Sequence, residues 1–333
     1  MNKSIFHILT TLALVACFSA KGSWASAFVP FGNVATPFSE ESMMGLAAPS
    51  ILRSSPSLRL IPAFASFYNY NDFSFGYKPG ALPDTFIGGI AFNRDLTKTM
   101  TLAGSFRFLS VDAIQNITGG VFQGYTKFQT YSLAPSFSYK FLPNLSAALG
   151  TEISLLEAFG NKNLDFNMSL SGAFELKKKL WIVDSMAFGA GIRNLIGIFE
   201  TNTSQFQFIG SATGYSWNDR ISYGFGFNFV PRSELTQLPT FSVDFGASVF
   251  LFNIWRISLG LVNLGKEDIN FSASTSIQIS SFQFSYTIRN IAQNSAAFVD
   301  GSKFEQMFGL SVFYSPSLVG DTSRMLKNLK KIQ

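Results

Sequence analysis

Glu152, Asp165 and Glu175, on neighbouring stretches of the chain, come closest to a catalytic pattern. Paired carboxylates can divide acid and base roles in glycoside hydrolysis, but only at a fixed separation across a substrate. Their spacing in this sequence imposes no such separation. The other chemically versatile side chains are nearly missing. His7 is the one histidine and Cys17 the one cysteine. Cleavage of a leader after Ala27 removes both. A Ser-His triad, a Cys-His pair and a histidine-ligated zinc site each need a residue type that such a mature chain lacks. No disulfide can form within it. The expectation is a non-enzyme with no catalytic residue, no metal and no other cofactor.

The leader is read from Lys3, the apolar run Ile5 to Phe18 and the small residues after it. That run is shorter than the roughly 18 residues a spanning helix needs, and its flanks are those of a secretory signal. Ala25-Ser26-Ala27 offers a small-x-small cleavage site. Leu14-Val15-Ala16-Cys17 is a competing lipobox that would leave a lipidated Cys17. The polar stretch Ser19 to Ala27 favours the first.

Residues of any function must then be positioned by strands. Ser222 to Phe229 puts Tyr223, Phe225, Phe227 and Phe229 on one face and Ser222, Gly224, Gly226 and Asn228 on the other, because an extended chain alternates its side chains. This pattern recurs for most of the chain. Charged residues are only 14%, against about 25% in soluble domains. The apolar residues are nevertheless diluted at every second position by Ser, Gly, Thr and Asn, as a wall with lipid outside and water inside requires. The net charge of +5 is modest. Its lysines gather at turns (Lys177, Lys178, Lys179) and in the tail (Lys327, Lys330, Lys331), so nucleic acid is not an expected partner.

The fold class expected is all-β: a transmembrane antiparallel β-barrel of about 14 strands with a possible N-terminal plug. Leu58, Leu60, Pro62 and Phe64 read as a first strand. Further strands are expected near 86–92, 100–108, 131–141, 145–155, 164–175, 180–193, 198–210, 218–230, 240–251, 254–264, 269–279, 282–290 and 304–314. Tight and longer connections alternate, which suits short periplasmic turns and longer outer loops. Asn69–Asp84, Ser110–Thr126 and Ala158–Asn163 read as long connections. Gly210 to Trp217 falls where a short turn should be and does not look like one. The domain reading is a signal peptide over 1–27, an extension or plug over 28–56, the barrel over 57–314 and a basic periplasmic tail over 315–333.

One hairpin is fixed by arithmetic. A two-residue turn at Ser280-Ser281 pairs Ile279 with Phe282, Ile277 with Phe284, Thr275 with Tyr286 and Ala273 with Ile288. Directly opposed residues share a face, so the register from the turn matches the apolar pattern. The opposite, lumen-facing set carries the candidate functional side chains: Arg107, Lys140, Glu152, Asp165, Asn167, Glu175, Arg193, Asp244, Arg256 and Arg289. They read as mutually paired or plug-paired charges, with substrate orientation as the rival role. Glycines on that face, Gly189, Gly226 and Gly246 among them, admit close approach of another backbone. Aromatics near strand ends (Tyr68, Tyr77, Trp181, Tyr215, Trp217, Trp255, Tyr314) read as interfacial girdles.

Two strands end in a Gly-x-x-Asn-Leu phrase, Gly191-Ile-Arg-Asn-Leu195 and Gly260-Leu-Val-Asn-Leu264. Tyr286-Thr-Ile-Arg-Asn-Ile-Ala-Gln-Asn294 and Phe308-Gly-Leu-Ser-Val312 follow. In these phrases the chain resembles the PorV-like branch of the FadL-type outer-membrane transport family, over roughly Ser57 to Tyr314. Met44-Gly-Leu-Ala-Ala-Pro-Ser50 stands where that family carries Asn-Pro-Ala-Gly. The resemblance implies an outer-membrane barrel for uptake or export of hydrophobic or amphipathic, fatty-acid-like molecules, or an accessory barrel of a secretion system. A general diffusion porin is the alternative. The partners implied are outer-membrane lipid, a hydrophobic small-molecule ligand and the barrel-assembly machinery.

Overall fold

Alternation of apolar and small residues closes this chain into a wall. A computed structural model describes residues 38, 44–52, 54–68, 71–79, 85–118, 121–158, 161–179, 181–195, 206–231, 239–252, 254–264, 269–290 and 304–314. The leader with Cys17, most of 28–43 and the basic tail lie outside these residues. The described residues hold fourteen strands: β1 Asn71–Pro79, β2 Thr85–Asp95, β3 Met100–Thr118, β4 Val121–Leu142, β5 Leu145–Ala158, β6 Asn161–Leu176 and β7 Ser185–Arg193. The second half continues with β8 Gln207–Ser216, β9 Ile221–Val230, β10 Thr240–Leu251, β11 Trp255–Leu264, β12 Asn270–Ile279, β13 Phe282–Asn290 and β14 Phe304–Tyr314. Each pairs antiparallel with its sequence neighbours, and β1 pairs with β14 from Asn71↔Tyr314 to Tyr77↔Phe308, which closes the barrel.

The expected register holds at the β12–β13 hairpin. Ile279 faces Phe282, Ile277 faces Phe284, Thr275 faces Tyr286 and Ala273 faces Ile288. Ser280 sits at φ 54°, the left-handed geometry of a tight two-residue turn. The alternating octet lies in β9, where Tyr223 and Phe225 are exposed and Ser222 and Gly226 are buried. Phe106, Leu133, Leu149, Leu170, Phe245, Leu259 and Phe284 continue the exposed apolar outer surface around the circumference.

Four expectations are corrected. Leu58 to Phe64 is no strand. It runs through turns and a 3-10 segment, Pro62–Phe67, and Leu58, Ile61 and Phe64 are all buried. Alternation mimicked a half-buried strand there, although neither side of the segment faces solvent. The first strand is β1, inside a stretch rich enough in Asn, Gly, Tyr and Pro to read as a loop. The long loops read at 110–126 and 158–163 are extensions of the β3–β4 and β5–β6 hairpins instead, β3 and β4 reaching 19 and 22 residues. Those lengths far exceed the roughly 9–11 residues a strand needs to cross a bilayer. Gly210 to Ser216 is the body of β8, and the short turn missing from the sequence reading follows it, at Trp217 to Arg220.

The turns at 96–99, 143–144, 217–220 and 280–281 fall at the end of the barrel that also holds the start of β1 and the finish of β14, whereas the β3–β4 and β5–β6 pairs run out to Thr118↔Val121 and Ala158↔Asn161 at the opposite end. At the opposite end, Asn194 follows β7 at φ 58°, and Asn263 sits at φ 67° within an irregularity of β11, after which Leu264 still pairs with Val243. These are the asparagines of the two Gly-x-x-Asn-Leu phrases. Asn tolerates the left-handed region better than other non-glycine residues, so each phrase places a backbone kink near the end of its strand.

Candidate functional site

The candidate site is the inner face of the wall together with an inner segment over residues 44–68. That segment comprises a 3-10 turn at Gly45–Ala47, helix α1 (Ala48–Leu52), a second 3-10 turn at Ser55–Ser57 and Pro62–Phe67. Pro56 and Pro62 start two of these short pieces, where a fixed φ and a missing N–H cost nothing. Its apolar side chains Leu58, Ile61, Phe64 and Phe67 form one cluster with Ala103, Ala148, Ala173, Ala187 and Ile209 of the wall. Small wall residues let large ones from the segment fill the space. Met44, Ala47, Ala48, Ile51 and Leu52 form a second cluster.

Two wall glycines receive the segment's backbone and side chains closely. A Cβ on Gly226 would stand 2.6 Å from the Leu46 carbonyl carbon and 2.8 Å from the Ala47 nitrogen. A Cβ on Gly189 would stand 2.5 Å from the Phe64 ring.

Polar groups of the wall satisfy backbone groups that short helical pieces leave open. Asp244 Oδ2 accepts the Leu46 N–H at 2.9 Å, and its Oδ1 accepts the Asn263 N–H at 2.9 Å. Asp72 Oδ2 accepts the Ser55 N–H at 3.0 Å. Ala63 is held at both ends: its N–H donates to Ser171 Oγ at 3.1 Å, and its carbonyl accepts from Ser146 Oγ at 2.7 Å. Tyr68 donates to the Pro49 carbonyl at 2.7 Å, and Tyr215 donates to the Ser50 carbonyl. Both tyrosines are buried, so neither belongs to the girdle expected of them. Tyr77 and Trp255 are exposed, as a girdle requires.

Charges gather at one station. Arg59 Nη1 lies 2.7 Å from Glu152 Oε1 and 3.0 Å from Oε2. Arg193 Nη2 lies 3.7 Å from Oε2, and Ser132 Oγ donates to Oε1 at 2.8 Å. Asn167 is the register partner of Glu152, and its amide donates to Asp165 at 3.0 Å. The cavity beside this cluster is about 20 Å³, room for one water and not for an organic solute. The other candidates are dispersed. Arg107 lies over the Phe38 ring at 5.7 Å, and Lys140 over Phe67 at 5.5 Å. Arg256 donates to the Leu52 carbonyl at 3.4 Å. Arg289 meets Glu305 at 2.6 Å, and Lys78 meets the other Glu305 oxygen at 2.7 Å. Glu175 is buried near Lys177 at 3.5 Å, ten residues from Asp165 along β6, a separation on the order of 33 Å. Glu175 is therefore remote from Asp165, while Glu152, a diagonal neighbour of Asp165 across the β5–β6 pair, is held by Arg59.

Arg59, Asp72, Lys78 and Glu305 were missed by sequence reasoning. The first three fell in stretches assigned to the wrong element. Glu305 could have been found from the β14 alternation, two residues before Met307.

No family model matches the chain, and no curated protein matches its sequence. Solved structures do match. The toluene transporter TbuX of Ralstonia pickettii superposes with a TM-score of 0.57 at 9% identity, over 84% of this chain and 98% of its own. The toluene transporter TodX of Pseudomonas putida superposes with a TM-score of 0.55 at 8% identity, over 83% and 96%. Both neighbours are described as toluene transporters. At such identities the likeness is one of fold, and the fold shared is a closed barrel of 14 antiparallel strands.

Proposed function

We propose that this protein is a bacterial outer-membrane barrel that passes hydrophobic or amphipathic small molecules without chemically changing them, with residues 44–68 acting as its plug. The observation that carries the reading is the occupied interior. Asp244, Asp72, Ser146, Ser171 and Glu152 each make a hydrogen bond to the inner segment. A general diffusion porin needs an aqueous channel, and this wall is built to hold a segment across it. The shared fold with toluene transporters supports an apolar cargo. Passage requires the segment to shift, because the cavity beside Glu152 is far smaller than a solute. The inward charges serve first to hold that segment, and orientation of a cargo head group is secondary. Biogenesis calls on the barrel-assembly machinery, as for any such wall.

Purified protein in planar bilayers should give little steady ion conductance, while proteoliposomes should take up toluene or a fatty acid faster than empty liposomes. Large, steady conductance would establish the porin reading instead. The two Gly-x-x-Asn-Leu phrases, in which the chain resembles the PorV-like branch, carry a second, finer reading, a secretion-accessory role. Affinity purification that recovers a stable exported or periplasmic protein, together with no uptake of either solute, would select it.

A further inference from the structure

Among the described residues, three carboxylates of the wall bond the inner segment, and each also holds a donor that belongs to the wall. Asp244 accepts the Leu46 N–H with one oxygen and the Asn263 N–H with the other. Asp72 accepts the Ser55 N–H at 3.0 Å and the Ser74 hydroxyl at 3.3 Å. Glu152 accepts from Arg59 at 2.7 Å and from Ser132 at 2.8 Å. The three differ in what the segment gives them. Asp244 and Asp72 receive a backbone N–H, whereas Glu152 receives a cation. If the segment shifts, Glu152 alone loses a counter-charge, and a buried charge without one is strongly unfavourable.

A second cation stands beside it. Arg193 is the last residue of β7 and pairs in register with Ser169 of β6, so it belongs wholly to the wall. Its side chain reaches across β6 towards Glu152 of β5, and Nη2 stops 3.7 Å from Oε2. Charge-assisted N–H···O bonds close at about 2.7–2.9 Å, the distance Arg59 already has. Arg193 is thus near enough to attract the carboxylate and too far to bond it. A cavity of about 20 Å³, lined by Arg59, Glu152 and Arg193 together, gives its guanidinium room to advance. Ser132, on β4, holds Oε1 to the wall in the meantime.

We infer that Arg193 is a positioning residue for transport: a stand-by counter-ion that takes over Glu152 when Arg59 withdraws with the inner segment. Glu152 exchanges one arginine for the other, and its charge stays paired in both states. The inference rests on the transport reading above, in which the segment must shift. A group biases a two-state equilibrium only through its different interaction with the two states. Arg193 interacts weakly with Glu152 while the segment is seated and closely once it has left, so it favours release. An arginine that merely reinforced the seated arrangement would act with the opposite sign.

The test reads the opening of the segment separately from transport. Ser57→Cys puts a thiol at a fully buried position of the segment, two residues from Arg59. In full-length mature protein refolded into vesicles, a water-soluble maleimide reports how often that thiol becomes accessible. Arg193→Met and Arg193→Gln should each slow labelling about tenfold, by lowering the population of the released state. Arg193→Lys, which keeps the charge, should restore most of the parental rate. Toluene uptake by proteoliposomes should fall with the labelling rate. Labelling that is unchanged or faster in both uncharged variants overturns the exchange, whatever uptake shows. Failure of both to form a folded, heat-modifiable barrel also overturns it, since the seated barrel would then depend on Arg193. Slowed labelling in a protein whose parent takes up neither toluene nor a fatty acid supports the exchange and overturns the transport reading. A parental thiol that is never labelled overturns both.

Discussion

Arg59 of the inner segment and Glu152 of β5 meet at 2.7 Å, ninety-three residues apart in the chain. Both side chains are largely shielded from water. Breaking one partner of a buried pair costs about 3–5 kcal/mol because the other charge is left uncompensated. Glu152→Gln, which leaves Arg59 and Arg193 facing a neutral group, should lower resistance to unfolding and raise bilayer conductance through a loosened interior. Arg59→Met combined with Glu152→Gln should cost less than the two single losses added, and a double-mutant cycle on denaturation reads that coupling.

Asp244 ties the 3-10 turn at Gly45–Ala47 to β10 and caps Asn263 with its other oxygen. Asp244→Ala leaves two backbone N–H groups without their acceptor, at about 1–3 kcal/mol for each that stays buried. Limited proteolysis of the folded protein in detergent should then cut within 44–52, where the parent resists. Equal resistance of the variant would remove Asp244 as an anchor.

Gly226 marks a place where the wall tolerates no side chain. Gly226→Val would drive a Cβ to 2.6 Å from the Leu46 backbone. The expected outcome is a barrel that still migrates as a folded, heat-modifiable species on gels and conducts ions more than the parent. Parental conductance of the Gly226→Val variant would show that the segment yields elsewhere.

Phe284 tests the outer face. It opposes Ile277 across the β12–β13 pair, and both are exposed. Phe284→Lys places a charge on the lipid face, at about 2–4 kcal/mol at midplane. Folding yield into vesicles should fall, and an unchanged yield would reverse the assignment of faces.

Asn263 tests the kink near the end of β11. Asn263→Gly should be nearly neutral, whereas Asn263→Val should cost on the order of 1–2 kcal/mol for forcing a β-branched residue to φ 67°. Urea titration of the refolded barrel in vesicles distinguishes the pair. Equal loss in both variants would point to the Asn263 side chain instead of its backbone.

Where the sequence was legible, two signals agreed. At Ser280-Ser281 the turn length and the apolar alternation gave one register, and the structure has it. Within β9 the aromatic and small faces separated cleanly. Legibility failed where the same alternation arose for another reason. Leu58, Leu60 and Phe64 alternate with other residues as a strand would, yet they are buried by a surrounding wall that a local reading cannot see. Pro56 and Pro62 were the available warning. β1 failed in the opposite way, since Asn71, Gly76 and Pro79 resemble loop chemistry although the strand closes the barrel. Of the candidate site, period two alone singled out the charged set in β3 to β13 as candidates. Its partners were not legible, because Arg59, Asp72 and Lys78 lay in the two misread elements.

The hydrogen bond from Leu46 to Asp244 spans 198 residues, and the bond from Tyr215 to Ser50 spans 165. Residues 46–50 therefore meet these partners only once β8 and β10 exist, whereas the bonds of Ser55 to Asp72 and Ser74 are local. Strand pairs between sequence neighbours are local and form readily, whereas contacts of such long separation carry the full entropy of loop closure. Residues 46–50 must wait, unprotected, until the later strands exist and β1 has met β14. A pulse of protease during refolding should accordingly cleave within 44–52 until the β1–β14 edges pair, and spare it afterwards. Seating of residues 46–50 is then expected to coincide with the sealing of the wall.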